Sequence, residues 1–128
     1  SRATERDFYA RTGIFPIMHA VAARRELVDS DPTLVKAVFA AYSESKQRAY
    51  AHMSGVAGLM DTLPWYGQEL AATRALMGDN FYSYGIEANR KPLEALFRYS
   101  HEQGFCNRRL TIEEIFEPSS LSLVEQGS

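Results

Sequence analysis

The chain has little of what metal centres and disulfide-stapled domains are built from. Of its 128 residues, one is cysteine, Cys106, and three are histidine. A single thiol excludes an intrachain disulfide and a cysteine-based zinc site. It fits a reducing compartment, so the expected location is the cytoplasm. His19, His52 and His101 lack the H-x-x-x-H spacing that puts two ligands on one helical face, so no metal site is read from the sequence. Excess charge is missing too. Fourteen Lys and Arg against 16 Asp and Glu leave a net −2, which speaks against nucleic acid and anionic membrane as partners. The longest apolar run, residues 14–23, is about half of the ~20 residues that span a bilayer. No signal peptide is read ahead of it. There is no internal repeat and no low-complexity segment.

What is present is globular in composition. Apolar residues make up 45%, aromatic residues 12% and charged residues 23%, which excludes wholesale disorder. The length suits one domain. A helix is expected over residues 4–11, capped by Thr4 and stopped by Gly13. Residues 14–23 then form a continuous apolar run, which suits a strand buried on both faces. Pro16 cannot donate to a ladder, so the strand should begin near Ile17.

A helical turn is expected over residues 25–30. Asp31-Pro32 should open a long helix, with Pro32 at its first position. Leu34, Val35, Val38, Phe39 and Tyr42 share one face of it, Ala49 and Met53 continue that face weakly, and Glu44 and Arg48 are spaced as an i,i+4 pair. Gly55 and Gly58 mark its end. Pro64 opens a further helix to Met77, closed by Gly78. Residues 79–85 read as an aromatic loop carrying Phe81, Tyr82 and Tyr84. Asn89 is placed to cap a helix over residues 90–103, with Pro92 in the first turn, where amide groups lack intrahelical partners. Leu93, Leu96, Phe97 and Ser100 form its inward stripe and Gly104 ends it. Thr111-Ile112-Glu113-Glu114 is a capping box for a last short helix ended by Pro118. Residues 119–128 read as a loose tail.

One strand among five or so helices is a physical difficulty. Unpaired buried backbone groups cost ~1–3 kcal/mol each, so the strand needs neighbours that nothing else in the chain supplies. Either a second copy pairs with it, giving a homo-oligomer built on a helical interaction module, or its partners lie in absent sequence.

A series of motifs bears on that choice. Gly13-Ile14-Phe15-Pro16-Ile17-Met18-His19, Leu63-Pro64-Trp65, Arg74-Ala75-Leu76-Met77-Gly78-Asp79 and Tyr84-Gly85-Ile86-Glu87-Ala88-Asn89-Arg90 occur in order. Arg98-Tyr99-Ser100-His101-Glu102-Gln103-Gly104 and Arg109-Leu110-Thr111, with Glu113-Glu114, continue them. Collinear as they are, they resemble the 4,5-dihydroxyphthalate decarboxylase family. The resemblance runs over about residues 4–118. It departs at Phe81-Tyr82-Ser83-Tyr84, where the family pattern is of the type Phe-Trp-Pro-Tyr.

The resemblance implies an α/β chain, mostly helical with one buried strand near residues 14–23. This would be the C-terminal portion of a two-lobed, type II periplasmic-binding-protein-like fold. Residues 1–118 would belong to that domain, and its missing N-terminal part would supply the strand partners. The implied activity is that of a carboxy-lyase of aromatic catabolism. It would convert 4,5-dihydroxyphthalate, or a related hydroxylated aromatic dicarboxylate, to protocatechuate and carbon dioxide. The resemblance names no cofactor.

Such a reaction needs an acid near neutral pKa, cations for carboxylates, and a surface for the ring. His19 is the candidate acid, since histidine titrates near neutrality. Arg74 and Arg90 are candidates for gripping carboxylates through the guanidinium fork. Trp65, Tyr82 and Tyr84 could stack on the ring. The structural alternatives are a hydrogen-bonded core histidine, surface ion pairs and ordinary aromatic packing. Asp79 reads as a loop cap and His101 as a helix-dipole partner, and Cys106, with only Arg108 and Arg109 beside it, has too little to be read as a nucleophile. The competing function is a solute-binding protein of an ABC-type uptake system. It would hold a small carboxylate without chemistry and would be periplasmic. A shared fold does not separate the two.

Overall fold

A computed structural model describes residues 1–55 and 63–125. Six α-helices lie among them: α1 (Arg2–Thr12), α2 (Arg25–Ser30), α3 (Leu34–Ser54), α4 (Tyr66–Met77), α5 (Arg90–Glu102) and α6 (Ile112–Ile115). Two 3₁₀ turns, Glu87–Asn89 and Pro118–Ser120, complete the regular structure.

The helix boundaries follow local chemistry. Gly13 closes α1 in the left-handed conformation (φ 64°), donating its N–H to the Tyr9 carbonyl. Asp31 accepts the N–H and hydroxyl of Thr33 at 2.9 and 2.7 Å, so α3 starts at Leu34, after Pro32. The Arg48–Glu44 pair forms as spaced. Gly55 closes α3, and Gly58 lies outside the described residues. The capping box of α6 is complete, with Thr111 and Glu114 bonded reciprocally. Asn89 precedes α5, but its side chain does not cap it. Its Nδ2 donates instead to the carbonyls of Ser83 and Gly85, tying the aromatic loop shut.

The expected fold class is overturned. No strand or sheet occurs among the described residues, so the chain is not α/β, and no buried strand lies at residues 14–23. Residues 13–24 form no regular secondary structure, and from Met18 onward they are exposed. Among the described residues, no backbone group from 15 to 23 bonds to another. A continuous apolar run shows that a segment can be buried. A strand also needs a ladder, and nothing among the described residues provides its other side.

The core is small. Ile86, Leu93 and Ile112 are its buried apolar residues, with Ile17, Phe97, Phe116 and Leu121 packed partly against them. The inward stripe of α5 holds at Leu93 and Phe97, whereas Leu96 is 46% exposed. Accessible surface is 9627 Å² for a mass of 14.4 kDa. A compact monomer of that mass exposes about 6,800 Å². The chain therefore shows about 2,800 Å² more than the scaling for a self-contained domain.

Candidate functional site

The aromatic loop, residues 79–85, lies against α3 and the last described residues. Its centre is Lys46, in the middle of α3, whose side chain is 8% exposed. Lys46 Nζ donates to Asn80 Oδ1 at 2.7 Å, to the Tyr82 carbonyl at 2.7 Å and to the Glu125 carboxylate at 2.6 Å. All three ammonium protons are thus matched. Glu125, 5% exposed, accepts in addition from Asn80 Nδ2 and from the Tyr84 N–H, each at 2.9 Å. Burial pushes the Glu125 carboxyl up, but bonds from Lys46, Tyr84 and Asn80 outweigh it and hold the group below its ordinary range. Residues 121–125, read above as loose tail, are held here through Glu125.

Aromatic rings surround the pair. Tyr84 lies 4.2 Å below the Lys46 ammonium and Tyr50 at 5.7 Å. Tyr50 stacks on Phe81 at 4.7 Å, and its hydroxyl accepts the Tyr82 N–H at 2.9 Å. Burial, above all, pushes the Tyr50 phenol up. The Tyr82 ring meets Phe81 and Phe15 edge-on at 5.2 and 5.9 Å and remains 55% exposed.

The Phe15 contact anchors the start of the exposed segment. Phe15 touches the loop, and Ile17 packs on the Ile86, Leu93 and Ile112 core. Beyond that anchor Met18 is 75% and Val21 62% exposed. His19 lies in this exposed stretch with no bonded partner among the described residues. Trp65 precedes α4 in the left-handed conformation (φ 66°) and is 73% exposed.

The two arginines differ in their surroundings. Arg74 donates to Ser54 Oγ at 2.6 Å and lies 3.4 Å from Asp79, a carboxylate 94% exposed. Arg90 is enclosed by acids. Glu87 takes its Nε and Nη2 at 3.1 and 2.6 Å, and Glu113 and Glu94 lie at 3.6 and 3.9 Å. The Glu87 hydrogen bond, foremost, raises the Arg90 pKa. Arg90 also lines an open cleft of about 280 Å³ with Glu94, Phe97, Arg109 and Glu113. No group of three His, Cys, Asp or Glu suited to a metal ion occurs among the described residues.

The structure thus brings Tyr82 and Tyr84 into one cluster. No hydrogen bond, ion pair or ring contact among the described residues joins His19, Trp65 or Arg90 to it, and Arg74 meets the loop at Asp79. Lys46, Tyr50, Asn80, Glu125 and Phe15 escape a reading of the sequence by chemical motif. One signal was present: Lys46 follows Phe39 by seven residues and precedes Tyr50 by four, so it falls on the inward stripe of α3. A lysine in that register must find partners.

No family model matches the chain. The 4,5-dihydroxyphthalate decarboxylase of Comamonas testosteroni is 35% identical over 115 residues, which is 90% of this chain and 35% of that protein. The chain spans about a third of the length of that curated relative. At that identity over nine tenths of its length, the chain is related to that decarboxylase.

Proposed function

We propose that this chain contributes to a decarboxylase of a hydroxylated aromatic dicarboxylate, of the 4,5-dihydroxyphthalate type, completed by further polypeptide. The observation that carries the reading is the 35% identity over 90% of the chain to a protein of that name. The excess surface supports the second half of it, because the apolar side chains of residues 18–21 stay uncovered here.

The chemistry defines what the residues must do. In 4,5-dihydroxyphthalate each carboxylate is para to a phenolic oxygen. Deprotonating that phenol drives charge onto the ring carbon that bears the carboxylate. An acid delivers a proton to this carbon. The carbon–carboxylate bond then breaks, its electron pair returns to the ring, and carbon dioxide leaves. The phenolate recovers its proton, so one proton is consumed overall. In this reading His19 is the acid at carbon, Tyr82 and Tyr84 face the ring, and Arg74 and Arg90 are the candidates for the carboxylates. Trp65 is a further exposed ring for stacking. His19 carries no competing bond among the described residues, which leaves its ring nitrogens open for proton transfer.

The test is carbon dioxide release from 4,5-dihydroxyphthalate by the longer polypeptide and its His19→Gln variant. A positioned general acid contributes roughly 10²–10⁴-fold. Loss of that size in kcat, with ligand binding retained, supports the assignment. Full activity in the variant removes His19 from the mechanism, and tight binding without turnover removes the reaction.

A further inference from the structure

We infer that Lys46 and Glu125 are positioning residues for the aromatic loop, a latch that sets where the Tyr82 and Tyr84 rings point. This rests on the proposal above that those rings face the substrate. The latch grips the loop at alternate residues. Asn80 is held through its side chain, Tyr82 through its carbonyl and Tyr84 through its N–H. Tyr82 is fixed twice, since its N–H is also taken by Tyr50. With both backbone groups of one residue bonded, the direction of its side chain is set, and the Tyr82 ring projects outward, 55% exposed.

Two physical points favour a positioning role over simple adhesion. First, a buried ion pair stabilises no better than well-packed apolar side chains of similar volume. Such side chains would anchor the terminal segment equally well. They would leave the Tyr82 carbonyl, the Tyr84 N–H and the Asn80 amide without partners, and the loop would lose its orientation. Second, the terminal segment presses on the loop independently of the pair. The Leu123 carbonyl oxygen lies 2.7 Å from where a Cβ on Gly85 would stand, and Gly85 has φ 101°. Only glycine accommodates both that approach and that dihedral. Segment and loop therefore meet at two places, once through charge and once through backbone contact.

The experiment is amide hydrogen exchange on the unaltered polypeptide and on Glu125→Gln, which preserves shape and removes charge. In the unaltered protein the Tyr82 and Tyr84 amides should exchange as slowly as those in the middle of α5. In the variant they should exchange at least about tenfold faster while α5 stays unchanged, because one hydrogen bond to a charged group is worth ~1.5–3 kcal/mol. A merely structural role predicts a uniform rise across loop and α5 alike, and that result overturns the latch. So do Tyr82 and Tyr84 amides that exchange freely before any substitution, a measurement that needs no variant to fold. The KM for 4,5-dihydroxyphthalate separates the two proposals. A raised KM alongside loop-selective exchange supports both. Loop-selective exchange with unchanged KM and kcat supports the latch and overturns the assignment of the loop to substrate.

Discussion

The exposed segment after Ile17 gives the sharpest quantitative test of whether further structure covers it. Met18 is 75% and Val21 62% exposed. Full burial of such a side chain is worth ~1.5–3 kcal/mol. With most of each side chain still in water, roughly 1–2 kcal/mol per residue is unrealised in the chain alone. Truncating both to alanine should therefore leave the 128-residue chain within about 0.5 kcal/mol of its starting stability, as for ordinary surface positions. If a longer polypeptide covers them, as proposed, Met18→Ala with Val21→Ala should there cost ~2–4 kcal/mol, plus a cavity term where the site cannot collapse.

Urea unfolding followed by far-UV circular dichroism measures both numbers, since the signal comes from the helices and not from the segment itself. Peroxide oxidation of Met18 offers a check that needs no cooperative transition. Thioether oxidation follows exposure, so Met18 should be fast in the short chain and protected in the long one. Equal costs in the two proteins, with equal oxidation rates, would refute the idea that the excess surface is a covered face. The 2,800 Å² would then be a property of a loosely packed chain.

Three further outcomes follow from particular contacts. Lys46→Met should cost ~3–5 kcal/mol in urea unfolding, because it strands a buried carboxylate, and adding Glu125→Leu should recover only part of that loss, because the Tyr82 carbonyl and the Tyr84 N–H stay without partners. Glu114 is held at about 2 by its hydrogen bond from Arg108 first and by Thr111 next. Its folded value is depressed, so its contribution is complete above the unfolded value of about 4.3 and lost as pH falls through about 2. The carboxyl carbon shift of Glu114 should track that loss, and Glu114→Gln should abolish the dependence. If the arginines bind substrate carboxylates, Arg74→Ala should raise KM at least about tenfold, a loss in the range of one charge-assisted hydrogen bond. Arg90→Ala should raise it less, because Glu87 already occupies that fork.

Much of the fold was legible because its signals are local. Gly13, Gly78 and Gly104 end helices where they stand, the capping box at Thr111 forms as spelled, and the aromatic loop lies between Gly78 and Gly85. Asn89 shows the limit of such signals. Its type suits a cap, yet the carbonyls of Ser83 and Gly85 compete for its amide and take it. The strand at residues 14–23 failed for a non-local reason. Apolar composition reports a tendency to be covered, whereas strand formation depends on a second backbone. The latch was illegible because its members lie 34 to 79 residues apart. Only the register of Lys46 on α3 hinted at it.

The distribution of matched charge says more about the site than the pocket does. Lys46 is neutralised by Glu125, Arg90 by Glu87, and Arg108 by Glu114. A ligand with two carboxylates gains little from a cation that must first release a bonded partner, because the old pair is lost as the new one forms. Arg74 stands apart. Its acidic neighbour Asp79 is 94% exposed, and an exposed pair is worth only ~0–1 kcal/mol. The 280 Å³ cleft is lined by Arg90 and Arg109 but also by Glu94 and Glu113, so its cations are offset before any anion arrives. In the proposed reading a charged aromatic ligand would instead draw on His19, which carries no bond among the described residues, and on the exposed side chains of Met18 and Val21 beside it. That same stretch is where further polypeptide should pack. Covering it would exclude water from His19 and strengthen every electrostatic contact nearby, which ties activity in the proposed decarboxylase to the completion of its fold.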